Sequence, residues 1–355
     1  MQPASRSSES SLRGFVLRQS RHRVGPRQRQ RRRVGTMLFT IACVAIFTTV
    51  GVISAANHQV EGIERIPALK SALSPSSANV ENFLLVGSDS REGADPTAPD
   101  YGGIGPVTGV GGHRSDTIMV LRRDRDGGPA ALLSIPRDLW VTNAVTGQQG
   151  RINSTYQDGP ATFVLTVQQS LGIPIHHYVE IDFQGFKTLV DSIGGVQVCF
   201  PTPARDEHTG LNITAPGCYV LDGIQSLAFA RSRYYETLEN GEWVRDGTSD
   251  LGRTKRQQLF VNTALQSAIA SIKGNPFRTG ELLAAGTGAV RIDDGLDVLG
   301  AAGTLRGVVG GGLQPYSLPV VPRTVDGNAV LFLGDTANVV LDYFKGVAGS
   351  PPPAG

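Results

Sequence analysis

The sequence predicts an α/β fold: a single domain with a central mixed β-sheet between helices, preceded by one transmembrane helix. Three observations predict it. Helix-length and strand-length segments alternate along most of the chain, a pattern that favours a sheet covered by helices. Two early apolar runs, residues 117–121 and 131–135, are separated by Asp124-Arg125-Asp126-Gly127-Gly128. That is a hairpin signal, so the sheet is not purely parallel. Upstream of both, residues 37–56 carry no charge, and about 30 Å of helix is enough to cross a bilayer.

The amino-terminal segments come first. Residues 1–36 form a basic tail; its first 33 positions hold ten arginines and one acid, Glu9, a net of +9. Because the whole chain is only +2, the remainder carries −7. By the positive-inside rule the tail is cytoplasmic and everything from about residue 57 onward is extracytoplasmic. A basic tail abutting a span reads as a topology signal and not as a nucleic-acid arm; no helix-turn-helix pattern accompanies it. The apolar run exceeds the roughly 7–15 residues of a cleavable signal, so residues 37–56 are expected to be an uncleaved anchor. Residues 57–79 read as a juxtamembrane linker, 80–345 as one folded domain, and 346–355, with Ser350-Pro351-Pro352-Pro353, as a disordered tail.

Within the domain, Phe83-Leu84-Leu85-Val86 is a short apolar run ending in glycine, a buried strand. Residues 92–112, rich in Gly, Pro, Asp and Ala, form a long surface loop. The hairpin strands follow. Residues 160–171 have helical spacing with proline at the start. Tyr178-Val179-Glu180-Ile181 is a strand, 183–193 a helix stopped by Gly194-Gly195, and Val196-Gln197-Val198 a strand. Residues 222–230 and 254–272 are helices, 317–321 and 330–333 strands, and 336–343 a final helix.

Three cysteines bound the redox chemistry. Cys43 lies inside the span. Cys199 and Cys218 are the two outside, where disulfides persist, and they flank Pro201-Thr202-Pro203-Ala204-Arg205-Asp206, an excursion between two strands. A bond between them is worth roughly 3 kcal/mol in the chain-entropy model. They lack the two-pair spacing of a zinc site.

Six arginines fall in short carboxylate-bearing motifs: Gly87-Ser88-Asp89-Ser90-Arg91, Arg114-Ser115-Asp116-Thr117, Ile135-Pro136-Arg137-Asp138, Ala230-Arg231-Ser232-Arg233 and Asp250-Leu251-Gly252-Arg253, the last followed by Gln257-Gln258. The guanidinium fork matches phosphate oxygens two at a time and keeps its charge. Interleaved aspartates are hard oxygen donors suited to a divalent cation on the same phosphates. Each motif sits at the end of an element, where a side chain projects from a rigid scaffold. The combination points to chemistry on a phosphorylated substrate outside the cytoplasm.

These motifs, their order and the anchor resemble the LytR-CpsA-Psr family of cell-wall glycopolymer ligases. The phrases Asp182-Phe183-Gln184-Gly185-Phe186, Leu189-Val190-Asp191-Ser192-Ile193-Gly194-Gly195-Val196 and Leu221-Asp222-Gly223-Ile224-Gln225-Ser226-Leu227 extend the resemblance over about residues 80–345. It implies a mixed sheet between helices with a deep apolar pocket for a polyprenyl chain. It also implies transfer of a glycopolymer from a polyprenyl pyrophosphate carrier to a peptidoglycan hydroxyl. Asp89 and Asp116 would hold Mg²⁺, or Mn²⁺ in its place. Arg114, Arg137, Arg231 and Arg233 would grip the pyrophosphate, with Arg91, Asp250, Arg253 and Gln257 close by; Asp89, Asp116, Arg137 and Arg231 would carry the catalysis. The donor implied is arabinogalactan or a teichoic-acid-like polymer. The partners are then the membrane, the lipid-linked glycan and peptidoglycan, with no nucleic acid. Residues 92–112 and 235–249 look longer than a minimal family pattern.

Other readings of the same residues compete. With water as acceptor the site would be a polyprenyl pyrophosphate phosphatase, and a third reading is a non-catalytic wall-binding or regulatory membrane protein. Ser88 and Ser115 lack the histidine partner of a serine nucleophile, and His176-His177 have no third ligand at metal spacing. Phe183, Phe186, Leu189, Val190, Phe229, Leu259, Phe260 and Val261 could line a lipid pocket, with ordinary core packing as the plainer explanation.

Overall fold

The computed structural model describes residues 60–77, 79–90, 97, 100, 115–124, 130–247, 250–274, 278–301, 313–347 and 351–352. The expected tail and span, residues 1–56, lie outside them. Among the described residues, no helix is long and apolar enough to cross a membrane.

In chain order the first elements are β1 (Glu64–Ile66), β2 (Val80–Ser88), β3 (Ser115–Asp124), β4 (Ala130–Ser134), β5 (Trp140–Thr142) and β6 (Gln149–Arg151). Helix α1 (Pro160–Leu171) begins on its proline and ends at Gly172, whose φ of 69° lies in the left-handed region that favours glycine. Next come β7 (His177–Ile181), α2 (Phe183–Ser192), β8 (Val196–Phe200), β9 (Ala204–Asp206), β10 (Leu211–Ile213), β11 (Gly217–Leu221) and α3 (Gly223–Arg231). The rest is β12 (Glu236–Glu239), β13 (Glu242–Arg245), α4 (Asp250–Gly274), α5 (Arg278–Thr287), β14 (Val290–Asp293), β15 (Leu313–Ser317), β16 (Val320–Val325), β17 (Asn328–Leu333) and α6 (Ala337–Phe344).

Seven strands form the central sheet in the order β1-β14-β7-β2-β3-β4-β15. It is mixed: β2 runs parallel to β7 and antiparallel to β3, which is antiparallel to β4, and β4 is parallel to β15. Period-2 alternation sends successive side chains to opposite faces. Leu84, Val86, Ile118, Val120, Leu133 and Tyr178 pack in one core with residues of α1 and α6. Leu85 and Met119, one step out of phase, face the other side, where Val261 and Leu265 of α4 pack.

That second side positions the site. Helices α2 and α3 are both capped by aspartates: Asp182 accepts from Gly185 N at 2.7 Å and Asp222 from Gln225 N at 2.8 Å. Asp191 of α2 accepts from Gly223 N at 2.7 Å, tying the helices together. They meet backbone to backbone. A Cβ on Gly223 would sit 2.6 Å from the carbonyl oxygen of Lys187, and one on Gly185 would overlap the carbonyl of Ala289.

Strands β8 and β11 pair antiparallel with Cys199 opposite Cys218, and the two are disulfide-bonded as expected. The excursion they close is itself structured, with β9 and β10 in a second sheet ordered β10-β9-β12-β13. Three expectations are corrected. Residues 64–71, read as linker, contribute β1 and a 3-10 turn to the fold, with Leu69 fully buried. The strand expected at 317–321 divides at Leu318-Pro319 into β15 and β16. Pro352, in the expected tail, accepts a hydrogen bond from Tyr316 Oη at 3.2 Å.

Candidate active site

A cavity of about 620 Å³ lies between the sheet and helices α2, α3 and α4. One helix face shows how it is built. Arg253, Gln257, Phe260, Val261 and Ala264 of α4 all line it, at the i, i+4, i+7, i+8 and i+11 spacing of one helical stripe. The stripe is polar at the amino-terminal end and apolar beyond. Leu85 and Met119 from the sheet, Val179 and Ile181 of β7, and Phe183, Phe186 and Leu189 of α2 complete the apolar part. Asp89, Asp116, Arg137, Arg231 and Arg233 line the same cavity. It is an apolar chamber with arginines and aspartates in its wall.

Asp116 owes its orientation to a bulge. Gly87 pairs with Thr117, but the next pair is Ser88 with Ser115, so Asp116 is an extra residue on β3. Such a bulge re-aims the side chain it carries. The Asp116 carboxylate accepts from Arg137 Nη1 at 2.8 Å and lies 3.5 Å from Arg233 Nη2. Burial pushes its carboxyl up, but the guanidiniums of Arg137, Arg233 and Arg253 outweigh that and hold it below the usual carboxylate range. Asp116 therefore stays ionised. One strand over, Asp89 follows the end of β2.

Arg137 follows β4 in a segment fixed by its backbone: Asn153 N donates to Arg137 O at 3.2 Å and Leu331 N to Asp138 O at 3.0 Å. Arg231 ends α3, its guanidinium 4.4 Å from the Phe183 ring centroid, a cation–π distance. Gln257 donates to Thr117 Oγ1 at 2.9 Å and to the carbonyl of Ala230 at 3.2 Å, bridging α4, β3 and α3. Arg253, one turn before it, is 5% exposed.

Seven of the ten sequence-predicted site residues converge here: Asp89, Asp116, Arg137, Arg231, Arg233, Arg253 and Gln257. Arg91, Arg114 and the side chain of Asp250 lie outside the described residues. Of the expected lipid-pocket positions, Phe183, Phe186, Leu189, Phe260 and Val261 line the cavity. Val190 and Phe229 instead belong to the neighbouring core, and Leu259 is half exposed. Sequence reasoning missed His208, Thr209 and Tyr234 in the wall, and Asp206 behind them. Their signal was the turn-forming Asp206-Glu207-His208-Thr209-Gly210, placed between two bonded cysteines.

The donor set fits a divalent cation completed by substrate. Of the three aspartates lining the cavity, Asp182 is held as the α2 cap, which leaves Asp89 and Asp116, and among the described residues no group of three or more His, Cys, Asp or Glu could hold a metal unaided. Mg²⁺ commonly takes one or two protein carboxylates and fills its shell with phosphate oxygens and water. Both ion pairs of Asp116 recorded among the described residues fall on Oδ1.

Comparison with known proteins bears on the family and the fold. The model of the LytR_cpsA_psr family matches residues 46–342. A probable cell wall biosynthesis protein, LcpB of Corynebacterium glutamicum, is 33% identical over 266 residues, 75% of this chain and 59% of its own. A polyisoprenyl-teichoic acid–peptidoglycan teichoic acid transferase, TagU of Oceanobacillus iheyensis, is 31% identical over 194 residues, 53% of this chain and 51% of its own. The chain thus spans little more than half the length of these relatives. Among solved structures, a LytR-Csp2A-Psr enzyme from Actinomyces oris superposes with a TM-score of 0.60 at 27% identity, covering 80% of this chain and 96% of that one. TagT bound to LI-WTA, at 19% identity and a TM-score of 0.56, shares the fold over 81% of this chain and 99% of its own. With the family model matching most of its length and the motif residues gathered in one cavity, the chain belongs to the LytR-CpsA-Psr family.

Proposed function

We propose that this chain is an extracytoplasmic phosphotransferase, anchored by residues 37–56, that moves a glycopolymer from a polyprenyl pyrophosphate carrier to a peptidoglycan hydroxyl. One observation carries the reading: a single cavity joins an apolar chamber to a cluster of arginines and aspartates. That is the polarity of a lipid pyrophosphate. The relatives named as cell-wall biosynthesis proteins and teichoic acid transferases support it.

In the reaction the acceptor oxygen forms a bond to the glycan-bearing phosphorus. The bridging P–O bond to the carrier phosphate breaks, and the acceptor proton departs. A phosphodiester and a polyprenyl monophosphate result. Arg137, Arg231 and Arg233 bind phosphate oxygens and stabilise the charge that develops on the leaving phosphate, because preorganised donors act without reorganising. Asp116 and Asp89 would hold Mg²⁺, which supplies further charge neutralisation there. Its depressed pKa makes Asp116 a poor proton acceptor and a good cation ligand. The hydrophobic chamber retains the prenyl chain while the pyrophosphate is consumed.

The deciding experiment incubates the detergent-solubilised full chain with lipid-linked glycan and peptidoglycan oligomers and searches by mass spectrometry for the phosphodiester-linked product. Absence of that product, with the pyrophosphate left intact, would overturn the proposal.

A further inference from the structure

A second cavity, about 250 Å³, opens on the β5–β6 hairpin. It is ring-sized, just below the roughly 300–1,000 Å³ of drug-sized ligand pockets. Trp140, Arg151, Asn153, Ser154, Gln157 and Asn328 line it. Asn153 is only 6% exposed, yet its side-chain amide makes no hydrogen bond among the described residues. Its polar atoms are not sealed off; they open into this cavity, where they can meet a ligand.

Two links tie this cavity to the arginine cluster. The backbone N–H of Asn153 donates to the carbonyl of Arg137 at 3.2 Å. Asp138 lies 3.6 Å from Arg137 Nε and 3.3 Å from Arg151 Nε, standing between the two guanidiniums. Arg151 is further engaged with the carbonyl of Ala329 at 3.0 Å, and its charge is countered by Asp138. The rest of the lining is one indole, three carboxamides and a hydroxyl; Ser154 Oγ already donates to Arg151 O at 2.6 Å and Asn328 Nδ2 to Asp326 O at 3.2 Å, leaving Asn153 and Gln157 as the open amides. An aromatic face covers the C–H side of a pyranose, and carboxamides donate to and accept from its hydroxyl and acetamido groups. Trp140 also walls a neighbouring cavity of about 290 Å³ with Gln149, Gln169, Ser170 and Phe332. Two polar cavities sharing one indole suit a chain of sugars better than a single ring.

We infer that the Trp140–Asn153 cavity is a carbohydrate subsite holding one uncharged pyranose of a glycan beside the reacting phosphate. The sugar binding itself is independent of the phosphotransferase reading; the glycan's source, donor or acceptor, rests on it. The probe is chitotetraose, a neutral chain of N-acetylated pyranoses, titrated into the detergent-solubilised full chain while tryptophan emission is followed. A saturable change should appear, weakened at least tenfold by Asn153→Ala and by the surface variant Gln157→Ala, and its signal lost in Trp140→Phe. In transfer assays the same variants should raise KM at least tenfold for peptidoglycan oligomers if the ring is the acceptor's, or for lipid-linked donor if it is the donor's. No saturable emission change, or KM values unmoved for both substrates in folded variants, overturns the subsite. Chitotetraose binding that responds to the variants in a chain that transfers nothing would leave the subsite standing and sink the phosphotransferase reading.

Discussion

Asp206 accepts a hydrogen bond from the backbone N–H of Arg233 at 3.0 Å, across 27 residues of sequence. The same carboxylate oxygen accepts from Tyr234 N at 2.9 Å and Ser232 Oγ at 2.6 Å. The segment that carries Arg231 and Arg233 is therefore pinned from behind by an acid on the disulfide-closed excursion. Asp206→Ala would orphan the buried Ser232 hydroxyl, worth about 1–3 kcal/mol, and several part-buried N–H groups. It should lower stability by roughly 2–4 kcal/mol and reduce kcat more than donor KM, measured by thermal denaturation and steady-state transfer. Unchanged kcat in a folded variant would show that the pin does not matter.

The same residue predicts a pH dependence. Burial alone would raise the Asp206 carboxyl. The Ser232 hydroxyl and the N–H groups of Tyr234, His208 and Thr209 outweigh it and hold it below the usual range. A depressed folded pKa contributes stability that is fully present above the unfolded value, about 3.9, and is lost as pH falls through the lower folded value. The stability gap between the native chain and Asp206→Asn should thus be widest near neutrality and shrink below about pH 4. Acid-denaturation curves that stay parallel down to pH 2 would contradict it.

Metal holders and phosphate holders should separate. Asp89→Ala and Asp116→Ala are expected to cut transfer sharply and weaken Mg²⁺ affinity, and chelation of the native chain should stop transfer in the same way. Arg137→Ala and Arg231→Ala should leave cation binding largely intact while costing about 10²–10³ in rate. Lysine at either position should rescue only in part, because it keeps the charge and loses the fork. Because Arg137 is the largest attraction holding Asp116 down, Arg137→Ala should also move the acid limb of the pH–rate profile upward. Folded alanine variants that transfer at native rates would remove these residues from the mechanism.

Chain length of the carrier provides an independent check. Ala264 lies furthest along the α4 stripe from Arg253. Ala264→Trp should obstruct the apolar chamber and raise KM at least tenfold for a long-prenyl donor while sparing a short-prenyl analogue. Equal effects on both would place the lipid elsewhere.

Reduction of Cys199–Cys218 should lower the melting temperature by the equivalent of roughly 3 kcal/mol. A non-reducing peptide map that recovers both as free thiols would end that expectation.

The α/β alternation, the helix starting at Pro160 and most of the motif arginines were legible because each rests on local chemistry. Periodicity marks α1, and aspartates cap α2 and α3. Strand β14, by contrast, contributes only Val290–Asp293 and takes its place by pairing with β7 and β1; nothing local announces it. The hairpin β12–β13, with exposed Trp243 and Val244, lacks the alternation that identifies a half-buried strand. Asp206 was hidden for a related reason: its importance lies in partners 26–28 residues away. The bulge at Asp116 was equally invisible, since it exists only in the register between two strands.

The glycine contacts between α2, α3 and the chain entering β14 bear on how the chamber accommodates its occupant. Backbone seated directly on backbone leaves no layer of side chains that could compress, slide or change rotamer. Those joints have little mechanical compliance. A bulkier tail would have to find room by turning the side chains that line the chamber or by displacing α4. The polar end of that same helix carries Arg253 and Gln257, and any outward swing to admit a longer lipid would carry these two groups away from the phosphate.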